Sequence, residues 1–253
     1  MHLHLIFIFE KIVYNKKSGG SMKTLVIVPC FNEQDSIVEV VNSIKKEKLD
    51  YIVINDGSTD QTLQVLKKNN INYINLDNNL GIGGVMQTGY KYAFRNNYDI
   101  AIQFDGDGQH DSSYLKELIK PIASKEANLV IGSRFVGDKS EFKSTFLRRI
   151  GINVLSNLYK VITHKEIKDM TSGFRAADRE VMEIFTKNYP YEYPEPVTNL
   201  LICNKKIKEI PVKMKKREHG KSSITPLKSM YYMINVILYF IIIILSRGDD
   251  YHA

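Results

Sequence analysis

Cysteine is scarce in this chain. Cys30 and Cys203 are the only two in 253 residues, which is too few for a disulfide framework, and no Cys or His spacing of the kind that holds zinc occurs. A reducing compartment fits that usage. Internal repeats and low-complexity linkers are absent, so nothing suggests a solenoid or a string of domains. The apolar patch Leu3 to Phe9 has no basic start before it and no small-residue cleavage pattern after it, a poor match to a secretory signal. No apolar run reaches the ~20 residues that cross a bilayer comfortably.

What is present is an ordinary globular composition, 43% hydrophobic and 25% charged, in a chain long enough for one substantial core. The net charge of +7 points to an anionic partner: nucleic acid, a phosphate-rich substrate or an acidic membrane face. Much of the excess is local. Lys205, Lys206, Lys208, Lys213, Lys215, Lys216, Arg217, Lys221 and Lys228 are opposed only by Glu209 and Glu218, and the almost wholly apolar run 230–245 follows. Basic followed by apolar is a membrane signature. The run is short, so an interfacial or tilted, partly inserted helix competes with a span, and a buried core helix is the bland alternative. Nucleic-acid binding through the basic segment lacks interleaved aromatics and a recognisable module.

Ser18-Gly19-Gly20-Ser21 precedes Met22. Glycine codons can contain the purine-rich stretch that recruits a bacterial ribosome, so residues 1–21 are read as a leader or start-site artefact. The domain expectation is a catalytic unit over 22–223 and a hydrophobic, membrane-associated segment over 224–253.

From Met22 onward β-branched runs alternate with helical periods. Strands are expected over 24–28, 51–55, 73–76, 100–104 and 129–132, with helices over 33–46, 59–68, 84–95 and 113–123 between them. Helices over 146–162 and 178–185 and a late strand over 206–214 follow, the last placed at an edge or bulge by Pro211. Alternation of this kind implies an α/β fold with a mostly parallel sheet covered on both faces, its ligands beyond the carboxyl ends of the strands.

The polar motifs fall there. Asp105-Gly106-Asp107 ends an apolar strand and places two carboxylates on alternate residues in a glycine-softened turn. Such a pair suits a divalent cation shared with substrate phosphates, although a plain turn has the same composition. Asn32 and Ser58 each sit at a strand-to-helix turn where they could cap a helix. Together these turns set Glu33, Asp56, Asp105 and Asp107 along one sheet edge, where like charges need a cation or a hydrogen-bonding ligand. Asn79-Leu-Gly-Ile-Gly-Gly84 opens the third helix, so its amides could face a phosphate, but close helix-to-sheet packing also accounts for the glycines and the spacing is not a dinucleotide fingerprint.

Pro29 to Glu33, Asn55 to Asp60, Gly81 to Gly89, Asp105-Gly-Asp-Gly-Gln109-His110, Gly132-Ser-Arg134, Asp169-Met-Thr-Ser-Gly-Phe-Arg175 and Arg217-Glu-His-Gly220-Lys-Ser222-Ser223 occur in that order. The set strongly resembles glycosyltransferase family 2, in the branch similar to dolichol-phosphate mannosyltransferase and bacterial polyprenyl-phosphate glycosyltransferases. The resemblance covers 22–223 and implies a GT-A fold, a nucleotide-sugar donor, Mg²⁺ or Mn²⁺, and inversion at the anomeric carbon. By the same resemblance Pro29, Phe31 and Glu33 cradle base and ribose, Asp56 meets the base edge, and Gly84 belongs to the nucleotide-sugar site. Asp105 and Asp107 meet ribose and metal-bridged diphosphate, Gln109 is a further metal ligand, and Arg134 and Arg217 contact phosphates. Glu195, or Glu192 beside it, falls where many members place a catalytic carboxylate; a surface acid in a proline-stiffened loop is the alternative. His110 and His219 are expected to bridge or pack, and Lys221, Ser222 and Ser223 to meet phosphate or merely a membrane or a helix start.

A lipid phosphate is already ionised and can attack the sugar directly, whereas a sugar hydroxyl needs a base. The expected function is transfer to polyprenyl phosphate or a lipid-linked glycan, at the cytoplasmic face of the cell membrane, in surface polysaccharide synthesis. The alternative is a catalytically silent nucleotide-sugar-binding partner, which the intact acids and arginines argue against. Sugar, nucleobase, exact acceptor and oligomeric state are not legible.

Overall fold

The computed structural model describes residues 22–137, 146–189, 194–215 and 226–247. Seven strands form one sheet: β1 (Thr24–Cys30), β2 (Asp50–Asp56), β3 (Tyr73–Leu76), β4 (Ile100–Gln103), β5 (Leu129–Ser133), β6 (Arg175–Asp178) and β7 (Ile207–Pro211), in the order β3-β2-β1-β4-β6-β5-β7. All pairings are parallel except those of β6, which runs antiparallel between β4 and β5. This is the mostly parallel α/β sheet expected, with one strand the alternating pattern did not show.

The helices are α1 (Ile37–Lys46), α2 (Thr62–Lys68), α3 (Gly81–Arg95), α4 (Leu115–Ala123), α5 (Phe146–Thr163), α6 (Arg179–Asn188), α7 (Pro194–Leu201) and α8 (Pro226–Arg247). Helices α1, α2 and α4 cover one face of the sheet. In α1, Ile37, Val40, Val41 and Ile44 recur at helical spacing and are buried against Val26, Val28, Ile100 and Ile102. Helices α3 and α6, with parts of α5, α7 and α8, cover the other face around Leu25, Ile27, Tyr90 and Phe185. Gly89 permits that packing: a Cβ there would lie 2.3 Å from Cγ2 of Ile27.

Several boundaries differ from expectation for one reason. Helices α1 and α2 start at 37 and 62 rather than 33 and 59, because the preceding residues tie two loops together. Asn32 takes a positive φ of 56° and its Oδ1 accepts the amide of Thr59, while its own amide donates to Oγ of Ser58. Neither Asn32 nor Ser58 is therefore an N-cap; Ser36 and Gln61 hold those positions. Strand β7 does sit at the sheet edge, as its proline required. Residues 194–196 are not a loop: Pro194 opens α7, where a missing amide hydrogen is no loss.

Helix α8 is anchored on one side by Val236 and Phe240. Its other side exposes Ile234, Leu238, Ile241, Ile242 and Leu245. Among the described residues no helix is long and apolar enough to cross a membrane.

Candidate active site

The sheet's order reverses between β1 and β4, since β1 leads outward to β2 and β3 on one side while β4 lies on the other. Ligands in open α/β sheets bind at such a switch point, beyond the carboxyl ends of the strands. The turn 105–107 stands there. The amide of Gly106 donates to the carbonyl of Pro29 (3.2 Å), and a Cβ on Gly106 would come within 2.8 Å of that oxygen. Only glycine lets the two loops approach so closely. The Ser36 hydroxyl lies 2.8 Å from the Gly106 carbonyl and 2.9 Å from Oε2 of Glu33, which brings Glu33 to the same edge. Phe31 is exposed beside it.

Asp105 keeps about a third of its side chain exposed (34%). Its Oδ1 accepts from Nε2 of Gln103 (3.3 Å). Oδ1 of Asp107 accepts the amide of Gln109 (3.0 Å), and Nε2 of Gln109 donates to the Lys215 carbonyl (3.5 Å). Two carboxylates and an amide oxygen are hard donors, enough for a cation that draws its remaining ligands from phosphates and water. They are not a complete cage. Among the described residues no cluster of three His, Cys, Asp or Glu side chains could hold a metal. The donor set thus fits Mg²⁺ or Mn²⁺ held jointly with a substrate.

Asp56 behaves differently from its neighbours. It is buried, and its two oxygens accept the amides of Leu80 (2.7 Å) and Gly81 (3.0 Å) at the start of α3. Burial pushes its carboxyl above the ordinary range, and those two amides pull it back. Of the amides opening the third helix, those of Leu80 and Gly81 are thus taken by a carboxylate of the chain itself. Gly84 is buried within α3, as tight helix packing demands.

Arg134 follows β5 and is almost fully buried. Its Nε and Nη2 donate to the two carboxylate oxygens of Asp169 (2.8 and 2.6 Å), its backbone amide donates to Asp169 Oδ2 (2.9 Å), and Nη2 also reaches Oγ1 of Thr171 (2.9 Å). Glu209 on β7 fixes this turn by accepting the amides of Lys168 and Asp169. Asp105 and Glu195 both act electrostatically on Arg134. The arginine therefore lies by the site, with its forked edge committed to Asp169.

Glu195 is the second residue of α7 and only partly exposed. Burial pushes its carboxyl above the ordinary glutamate range; the Arg175 charge, its own amide and the Gln103 amide oppose that rise, while Asp105 adds to it. Arg175 is completely buried and pairs in register with Gln103 across β4 and β6, so both side chains share one sheet face. It donates to the Ser172 carbonyl and to Oγ1 of Thr198 (2.9 Å). At Gly173 a Cβ would lie 2.6 Å from Nε2 of Gln103 and 3.4 Å from Oδ2 of Asp105. That glycine keeps the space beside the aspartate open. Gln103, Asp169, Gly173 and Arg175 carry the site as much as the expected residues do. For Gln103 and Arg175 the readable signal was a polar residue inside a buried strand, which needs partners; Asp169 and Gly173 lie in the loop before β6. Arg217, Glu192, His219, Lys221, Ser222 and Ser223 lie outside the described residues.

Next to Arg134 opens a cavity of about 370 Å³ lined by Phe135, Arg149, Asn153, Lys160, Lys168 and neighbours. The Arg134 and Arg149 guanidiniums lie 5.4 and 6.0 Å from the Phe135 ring centre. Glu166 also lines the cavity and pairs with Lys160 (3.2 Å), so the positive charge that would suit an anion comes from Arg149 and Lys168.

Comparisons with known proteins bear on the family and the fold. The sequence model of the family described as glycosyl transferase family 2 matches residues 25–185. The UDP-N-acetylglucosamine--dolichyl-phosphate N-acetylglucosaminyltransferase of Methanococcus voltae is 30% identical over 246 residues, covering 88% of this chain and 96% of that protein. Polyprenol monophosphomannose synthase of Mycolicibacterium smegmatis is 26% identical, covering 81% and 82%. Among solved structures, glucosyl-3-phosphoglycerate synthase from Mycobacterium tuberculosis, crystallised with Mn²⁺, UDP and phosphoglyceric acid, superposes with a TM-score of 0.65 at 17% identity, over 87% of this chain and 78% of that one. The architecture is thus GT-A-like.

Proposed function

The chain belongs to glycosyl transferase family 2, and from that premise we propose that it moves a sugar, with inversion, from a nucleotide-sugar to polyprenyl phosphate at the cytoplasmic face of a membrane. The observation that carries the reading is the pairing of two sites around Arg134. On one side is the carboxylate turn of Asp105 and Asp107; on the other is the cavity that Arg149 and Lys168 leave net positive once Lys160 is paired with Glu166. A donor diphosphate and an acceptor phosphate are the two anions that such a reaction brings together. The relatives named for dolichyl-phosphate and polyprenol substrates support the same choice of acceptor.

In this reading Pro29, Phe31 and Glu33 hold the nucleoside, with Asp56 acting through the start of α3. Asp105, Asp107 and Gln109 would hold Mg²⁺ or Mn²⁺. A bound divalent cation supplies charge stabilisation as the nucleoside diphosphate departs. Arg134, fixed by Asp169, adds a preorganised positive charge at the same place, and Arg217 is assigned the same task. The attacking phosphate needs no base, so Glu195 is read as a group that orders Gln103 and the sugar-facing wall rather than one that must take a proton. The outward apolar face of α8 rests on the membrane.

The test is a thermal-shift screen of nucleotide-sugars with Mg²⁺ or Mn²⁺. A donor that raises the melting temperature only with metal present is the expected result. No shift with any donor would refute the reading.

A further inference from the structure

We propose that His110 is a positioning residue that closes the 105–110 loop and presents Asp105, Asp107 and Gln109 in place before a cation arrives; the proposal rests on the metal reading given above. The amide of Asp105 donates to Nδ1 of His110 (3.1 Å), a hydrogen bond that spans the loop from its first residue to its last. All three candidate ligands lie within that closure. Because Nδ1 accepts, the neutral ring carries its proton on Nε2, and Nε2 lies 3.6 Å from Oδ2 of the same aspartate. The imidazole therefore holds the backbone of Asp105 by a hydrogen bond and lies beside its carboxylate, just beyond hydrogen-bond reach.

The ring cannot drift. It is 5% exposed, stacks on Phe174 with centroids 4.6 Å apart and planes 15° from parallel, and meets the edge of Phe104 at 5.4 Å. Inside the loop, Gly108 takes the positive φ of 75° that the turn requires, and the Asp107 carboxylate accepts the amide of Gln109. A ligand loop ordered in advance does not lose its freedom when the cation binds, so affinity rises without any new contact.

Phenylalanine at 110 would keep the stack and lose the acceptor. Asparagine carries Oδ1 at the same bond distance from Cβ as Nδ1, so it can restore the Asp105 bond. The experiment is calorimetric titration of the protein and its H110F and H110N variants with Mn²⁺ in saturating UDP, with each variant's fold verified by circular dichroism. We expect Mn²⁺ to bind H110F about fivefold more weakly, within the range that one net hydrogen bond supports, and H110N within about twofold of the parent. Equal affinity for H110F, or an equal loss in H110N, would overturn the proposal. No Mn²⁺ binding by the parent protein would instead refute the metal reading itself. Should H110F not fold, hydrogen exchange on the metal-free parent decides: a protected Asp105 amide is expected, and exchange at the rate of an open loop would overturn the closure.

Discussion

Asp169→Asn isolates the buried ion pair that fixes Arg134. Asp169 is 0% exposed and accepts three bonds of 2.6 to 2.9 Å from Arg134 alone. Asparagine keeps the size but removes the charge, and it turns one acceptor into a donor that faces donors. Were the pair at the surface, its loss would cost about 0–1 kcal/mol. Buried, it leaves a guanidinium without its counter-charge, which costs about 3–5 kcal/mol. At roughly 2–4 °C per kcal/mol for a domain of this size, the melting temperature should fall by roughly 6–20 °C. Urea denaturation at neutral pH measures the free energy, and calorimetry the melting point. Adding Arg134→Met should recover part of the loss, because no unpaired charge then stays buried. A loss under about 1 kcal/mol for Asp169→Asn, or a double variant as unstable as the sum of the singles, would show that the pair does not work this way.

Further expectations concern Glu195 and α8. Glu195→Gln should keep much of the transfer activity when polyprenyl phosphate is the acceptor; complete loss in a radiolabel transfer assay would make Glu195 a base and the acceptor a hydroxyl. The same variant has a pH signature. Since burial raises the folded carboxyl above its ordinary value near 4.5, the glutamate's stabilising contribution is complete below that value and is lost as pH rises through the folded pKa. The Glu195→Gln variant should therefore gain in urea midpoint relative to the parent as pH rises above about 4.5, and a gap that narrows instead would refute desolvation as the dominant cause. Replacing Leu238, Ile241 and Ile242 on α8 by serine should move the protein from sedimented vesicles to the supernatant while leaving the melting temperature within a few degrees, because these side chains are exposed. Continued sedimentation would place the membrane contact elsewhere.

Much of the sheet was legible because its strands and helices alternate with clean periodicity, from Thr24 through Ser133. The turn at Asp105 stood out for the same reason: carboxylates at the end of an apolar strand have no core role. What escaped was structure made by contacts distant in sequence. Strand β6 is four residues, Arg-Ala-Ala-Asp, too short and too polar to show a period, and it is a strand because β4 and β5 flank it. Both oxygens of Asp56 hold the start of α3, twenty-four and twenty-five residues away, a contact that no local pattern announces. The clasp of Asp169 on Arg134 spans thirty-five. Such pairings carry no local pattern, so sequence could name the residues without telling which of them bind one another. Helix α7 was hidden by two prolines that sit in its first turn, where they do no harm.

The most direct test of the central claim is transfer itself. Purified protein with Mn²⁺, a panel of radiolabelled nucleotide-sugars and polyprenyl phosphate in detergent should put label into the organic phase as an acid-labile lipid monophosphate sugar. Asp107→Ala should reduce that transfer by at least two orders of magnitude, on the order of what one lost electrostatic group costs. Label that never enters the lipid phase with any donor, or transfer by Asp107→Ala that matches the parent, would contradict the account.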